Sequence, residues 1–165
     1  MRYATFFVGE DLLGIPIHLV QEIARFSSAF PIPGHDPRID GLVNLRGRMA
    51  VVINLRRCLM PEEAEAVPPA ARPKLIVLET NDGIPEEARE MGVAGHDEPV
   101  VLVVDDVHKI VDDDLQDYYP PPAHVRGEYI EGMIKVDDRL ITLISVPRLI
   151  NALTEDNQEA PSNAN

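Results

Sequence analysis

A chain of 165 residues with 28 Asp and Glu, 15 Lys and Arg and one cysteine excludes several classes of protein. Its net charge of −13 repels a phosphate backbone, and Cys58 alone builds neither a disulfide framework nor a cysteine zinc cage. The apolar runs are far shorter than a membrane span and residues 1–17 carry no signal-peptide pattern, so a cytoplasmic protein that does not bind nucleic acid is expected.

In chain order, apolar and β-branched runs predict strands over 2–8 and 12–17. Leu19, Val20 and Ile23 stand at helical spacing, which predicts a short helix over 18–25 that buries Val20 and Ile23 and leaves Gln21 and Glu22 nearer the surface. Strands follow at 39–46 and 48–54, and then a short helical turn with Asn54 as its cap. Residues 61–73 hold Pro61, Pro68, Pro69 and Pro73 and read as a loop. Further strands are predicted at 74–80, 99–104, 106–111, 128–136 and 139–145, with a stiff extended run at Pro120–Pro122. Between the first two of these, residues 81–98 form an acidic loop insertion with a helical turn from Pro85 to Met91. Asp82, Glu86, Glu87, Glu90, Asp97 and Glu98 against Arg89 make it a mobile excursion rather than core by expectation. A helix over 147–153 opens on Pro147, and 154–165 reads as a disordered tail.

The chain also repeats itself. Asp40–Leu59 aligns without a gap to Glu131–Ile150 at an offset of 91, matching Gly41 to Gly132, Arg48 to Arg139, Ile53 to Ile144 and Arg57 to Arg148. Upstream, Gly14–Ile23 follows Val101–Ile110 at an offset of 87. Order and near-constant offset favour a duplication, 14–59 and 101–150, within one domain spanning 1–153. Each copy suits a small closed barrel, which removes exposed sheet edges. The expected architecture is all-β: two five-stranded barrels packed together.

No catalytic constellation emerges from the same residues. The five histidines never stand at the spacing of helical metal ligands, the glycines are spaced as turn residues, and no serine sits in a nucleophile elbow, so no metal, cofactor or enzymatic activity is expected. Cys58 lies among Leu55 and Leu59 and reads as packed. Val101–Asp106 looks like the first strand and acidic pair of a phospho-accepting receiver domain. Only 59 residues follow Asp106, too few for that fold, and the repeat makes Asp105 and Asp106 a bend between strands. What remains is a surface. Asn44-Leu45-Arg46-Gly47 sits at a predicted hairpin, where turn chemistry and a functional role are both open, and Glu22 is a candidate partner for Arg46.

The run Leu19-Val20-Gln21-Glu22-Ile23, then Pro31-Ile32-Pro33-Gly34, then Ile39-Asp40-Gly41-Leu42-Val43-Asn44-Leu45-Arg46-Gly47 closely resembles the CheW-type chemotaxis coupling family, as does the closing hairpin around Tyr129–Gly132 and Arg139–Leu143. The resemblance covers 3–80 and 99–153. It implies two interlocked SH3-like barrels and a non-enzymatic adaptor joining the cytoplasmic tip of methyl-accepting receptors to the regulatory domain of the CheA histidine kinase, touching the membrane only through the receptors. It also implies a receptor groove carried by Val20, Glu22, Ile23, Gly41, Asn44 and Arg46. The chain departs from the family pattern at Val51, Asn54, Val101 and Asp106 and in its long 81–98 connection, which suits a divergent member. The alternatives are a phospho-accepting or enzymatic protein centred on Asp105 and Asp106, and a CheW-like domain detached from a kinase. The second is disfavoured because Met1 stands just before the first strand and no ATP-binding segment is present.

Overall fold

Two mixed sheets carry the fold in a computed structural model that describes residues 1–34, 36–60, 70–112, 118–121 and 128–159, the last six by backbone alone. The strands are β1 (Arg2–Val8), β2 (Asp11–Pro16), β3 (Val20–Arg25), β4 (Ile39–Leu45), β5 (Arg48–Asn54), β6 (Lys74–Leu78), β7 (Val100–Val104), β8 (Asp106–Asp112), β9 (Tyr118–Tyr119), β10 (Ile130–Val136) and β11 (Arg139–Ile144). Three helices join them: α1 (Leu55–Leu59), α2 (Glu86–Glu90) and α3 (Val146–Glu159). One sheet has the order β8-β1-β2-β11-β10-β9 and the other β3-β6-β7-β5-β4. The all-β class with two SH3-like barrels is as the sequence implied.

The repeat is realised strand for strand. The hairpins β4–β5 and β10–β11 share one register, with a bulge between Ile39 and Gly41 in the first and between Ile130 and Gly132 in the second, 91 residues apart. The parallel pairings match too: Val51 lies opposite Val100, and its counterpart Thr142 lies opposite Leu13. Yet neither sheet is one copy. In the five-stranded sheet, β7 of the second copy and β6, the strand ahead of it, lie between β3 and the β4–β5 hairpin of the first; in the six-stranded sheet, β2 of the first and β1, the strand ahead of it, lie between β8 and β10–β11 of the second. The parallel edge of each hairpin is thereby covered by the other copy.

Closure of the five-stranded barrel uses the chain after β3. Phe30 exchanges backbone hydrogen bonds with Leu42 at 2.8 and 2.9 Å, so the segment leaving one edge strand reaches the other. Three buried clusters follow. One fills the five-stranded barrel (Val43, Ala50, Val52, Leu75, Val77, Val101) and one the six-stranded barrel (Tyr3, Leu12, Val111, Ile134, Ile141, Leu143). The largest lies between the sheets and gathers Phe6, Ile15, Leu19, Ile53, Leu102 and Leu149 with others.

Four expectations change. Residues 18–25 are not a helix: a single 3-10 turn, Ile17–Leu19, leads directly into strand β3. The helical spacing of Val20 and Ile23 has another origin, a bulge at Gln21 between the pairs Val20–Leu78 and Glu22–Val77. The extra residue puts Val20 and Ile23 on the same outer face, beside Leu78 and Ile76, while Glu22 and Ala24 follow Val77 and Leu75 inward. Ile23 remains 49% exposed because β3 is an edge strand.

The acidic insertion is not an excursion off the core. It forms a 3-10 turn at Asn81–Gly83 and then α2, and it buries Ile84, Ala88 and Val93 to 3%, 0% and 5% exposure in the cluster between the sheets. Asn81 ties its ends, accepting from Gly95 N at 3.0 Å and donating to Asp97 Oδ1 at 2.8 Å. Three buried apolar side chains supply what the acidic composition concealed.

Helix α3 continues beyond the predicted 147–153 to Glu159, so the start of the expected tail is helical; residues 160–165 lie outside the described residues. Strand β9 is not legible as a strand in the sequence; it pairs with β10 through Tyr118–Ile134 and Tyr119–Met133, which gives this sheet six strands where five are expected. The capped turn after Asn54 is present as α1, with Asn54 Oδ1 accepting from Arg57 N at 3.3 Å. Of the proline-rich loop, 61–69 lies outside the described residues, as does Pro122.

Candidate functional site

The hairpin between β4 and β5 turns through two residues, Arg46 at φ 53° and Gly47 at φ 88°. Both are left-handed, the geometry that matches the twist of the flanking strands. Asn44 Oδ1 accepts from Gly47 N at 2.8 Å, so Asn44 and Gly47 are accounted for by the turn itself. Arg46 is not. Its backbone takes a conformation that glycine would hold with less strain, and its side chain leaves the turn, 80% exposed, to meet Glu22 Oε2 at 3.2 Å. An ion pair this exposed contributes about 0–1 kcal/mol to stability.

The six residues of the expected groove are only partly brought together. Glu22 and Arg46 touch, although β3 and β4–β5 lie at opposite edges of the sheet, because the sheet closes on itself. Val20 and Ile23 lie on the outer face of β3, Val20 half-buried against the central cluster and Ile23 open to solvent. Asn44 is exposed on the turn. Gly41 is elsewhere in kind: it is buried, with φ 138°, and a Cβ there would fall on the Phe30 carbonyl that closes the barrel. Its place in the motif is explained by the fold.

Around the Glu22–Arg46 pair the end of the barrel is an open cleft of about 160 Å³, with Leu45 and Val77 at its floor and Gln21 and Arg48 at its rim. The sequence reading named neither Gln21 nor Arg48 as a site residue. The signal for Arg48 was present in its alignment with Arg139.

Asp105, Asp106, Cys58 and Tyr129 are occupied by structure. Asp105 Oδ2 accepts from Arg56 Nη2 at 2.5 Å and from Gly9 N at 2.6 Å, which clamps α1, the β1–β2 turn and the β7–β8 bend together. Asp106 Oδ1 accepts from Val107 N at 2.9 Å. Burial pushes the Cys58 thiol up to about 12, and that of the Tyr129 hydroxyl, which donates to the Cys58 carbonyl, raises it to about 12 as well. Cys58 should therefore resist alkylation by iodoacetamide at pH 8 in the folded protein and react fully in urea; measuring free thiol against time checks this. Among the described residues no three His, Cys, Asp or Glu side chains gather in a way that could hold a metal ion, and no helix is long and apolar enough to cross a membrane.

Comparison with known proteins adds a third line. The CheW-like domain model matches residues 2–154. The chain is 25% identical to the chemotaxis protein CheW of Treponema pallidum (strain Nichols), over 92% of this chain and 82% of that protein. It is 25% identical to the CheW of Bacillus subtilis (strain 168), over 91% of this chain and 86% of the relative. A crystal structure of the scaffolding protein TtCheW from Thermoanaerobacter tengcongensis superposes with a TM-score of 0.69 at 26% identity, covering 87% of each chain. With the duplicated hairpins, the interleaved sheets and a family match over nearly its whole length, the chain belongs to the CheW-like domain family.

Proposed function

We infer that this chain is a non-enzymatic chemotaxis adaptor that couples the cytoplasmic tips of methyl-accepting receptors to a CheA-type histidine kinase, acting in the cytoplasm at receptor arrays. The observation that carries the reading is the Glu22–Arg46 pair, an exposed contact at the barrel end that the turn does not require, with exposed Ile23 on the same edge strand. The names of the relatives, chemotaxis protein and scaffolding protein, support it. The receptor tip is a helical hairpin in this reading, and an apolar stripe on it meets Val20 and Ile23 while Arg46 and Glu22 fix its orientation. The kinase binds a different surface of the barrels.

Arg46→Gly tests the site without disturbing the fold. Losing an exposed ion pair is offset by a residue at ease at φ 53°, so the melting temperature should stay within a few degrees. Affinity for a receptor hairpin fragment, measured by calorimetry, should fall by about 1–2 kcal/mol, as when an anchoring Arg is lost. Ile23→Lys should likewise leave the fold intact, because Ile23 is half-exposed, and weaken the hairpin by placing an ammonium where an apolar partner must desolvate it. Unchanged binding in both variants would move the receptor surface elsewhere. The phospho-acceptor alternative draws no support from Asp105, whose carboxylate is held by Arg56 and Gly9. Labelling of this chain by a phosphorylated kinase would revive it.

A further inference from the structure

The two barrels end differently at the same place. In the six-stranded barrel the end is filled by Phe7, which packs on the barrel core. His108 meets the Phe7 ring edge-on at 5.1 Å between centroids, and the Arg139 guanidinium stands 5.3 Å from its centroid. Beside the ring, Lys109 Nζ reaches Asp137 Oδ2 at 2.8 Å.

The repeat offsets of 87 and 91 carry each of these groups into the five-stranded barrel. His108 and Lys109 become Gln21 and Glu22; Asp137 and Arg139 become Arg46 and Arg48; Val136 becomes Leu45. These five line the open cleft. The ion pair is conserved in position and reversed in sign, Lys109–Asp137 in one barrel and Glu22–Arg46 in the other.

The phenyl ring has no equivalent there. Phe7 pairs with Asp106, whose counterpart is Leu19, and Leu19 O accepts from Glu79 N at 2.8 Å, so the counterpart of Phe7 is Glu79. The Glu79 carboxylate does not line the cleft; it lies against Gly83 at the start of the acidic insertion. The Arg48 side chain, exposed at the rim, forms no hydrogen bond or ion pair among the described residues, although its charge contributes to holding the Asp82 carboxyl below its usual range, behind backbone and Thr80 hydrogen bonds.

We propose that the cleft at the end of the five-stranded barrel is a berth for one aromatic side chain of the helical partner, stacked beneath Arg48 and flanked by a carboxylate of that partner. This rests on the adaptor reading for the identity of the partner but not for the chemistry of the berth. The size fits, since an apolar cavity of about 150 Å³ accepts a benzene ring. A guanidinium over a ring face is attractive, and more so when the pair is desolvated. The charge fits as well: Arg46 is matched by Glu22, which leaves Arg48 as the cation a partner carboxylate can meet.

Two experiments on the full chain test it. In methyl-resolved NMR, 3-phenylpropionate should shift the Leu45 and Val77 methyls by ring current, and its cyclohexyl analogue should bind at least fivefold more weakly. Arg48→Lys keeps the charge but loses the planar stack, and should weaken the phenyl probe by the same factor. Absence of shifts at Leu45 and Val77, or equal binding of both probes, overturns the berth. In the second experiment the aromatic residues of a receptor hairpin fragment are replaced by alanine one at a time. One replacement should raise Kd about tenfold against the parent chain and leave Kd unchanged against Arg48→Ala. If no replacement matters while Arg46→Gly still weakens binding, the berth is wrong and the adaptor reading stands. If the hairpin does not bind the parent chain at all, the adaptor reading fails, and the NMR experiment alone decides the berth.

Discussion

A Gly41→Ala variant should lose about 3 kcal/mol of stability, measured by urea denaturation, the largest effect expected of any single methyl group in this chain. Two causes act together. At φ 138° an L side chain is strained whatever the space around it, and the added Cβ falls on the carbonyl of Phe30, which is held by its hydrogen bond from Leu42 N at 2.9 Å. That carbonyl cannot retreat without opening the barrel between β3 and β4. Gly132 is the control, since it occupies the same bulge in the second copy. A Cβ there meets the ring of Tyr118, a side chain 42% exposed, and no positive φ is involved. Gly132→Ala should cost about 1 kcal/mol, because a surface ring can move aside. Equal losses at the two positions would mean that barrel closure at Phe30 is not what Gly41 protects.

The second large effect is in the acidic insertion. Ile84→Ala should destabilise by about 2–4 kcal/mol, the range for truncating a buried aliphatic side chain, since Ile84 is 3% exposed and packs in the cluster that holds the two sheets together. Replacing 83–96 with a two-residue turn should cost more than Ile84→Ala alone, because it also removes Ala88 and Val93 and uncovers Leu19. By contrast, neutralising Glu86, Glu87 and Glu90 to glutamine should change stability by less than about 0.5 kcal/mol each, as these side chains are exposed. A deletion as stable as the parent would restore the view of this segment as a loop outside the core.

How far the site was readable from residues alone depended on which interaction made each part. Asn44, Arg46 and Gly47 form a local turn, and a turn is written in four consecutive residues. The Glu22–Arg46 contact joins opposite edges of a sheet, so it was reachable only as a possibility. Gly41 was legible as part of a motif but not as a structural residue, since its reason lies in the backbone of Phe30. Gln21 and Arg48 carry no local signal, and only the comparison of two barrel ends gives them meaning.

By itself the sequence determined the β-rich class, the positions of the strands other than β3 and β9 to within a few residues, the duplication with its offsets, and the turn and cap chemistry at Asn44, Gly47 and Asn54, because alternation, glycine placement and capping are short-range properties. Tertiary structure decided the rest. A bulge at Gln21 imitated the period of a helix and was resolved only by the pairing of β3 with β6. Three buried apolar residues among seven charged ones were enough to hold the insertion, because burial depends on what they meet and not on the mean composition around them. And the two copies exchanged strands, which no single copy specifies: each hairpin leaves an edge that only the other copy can pair.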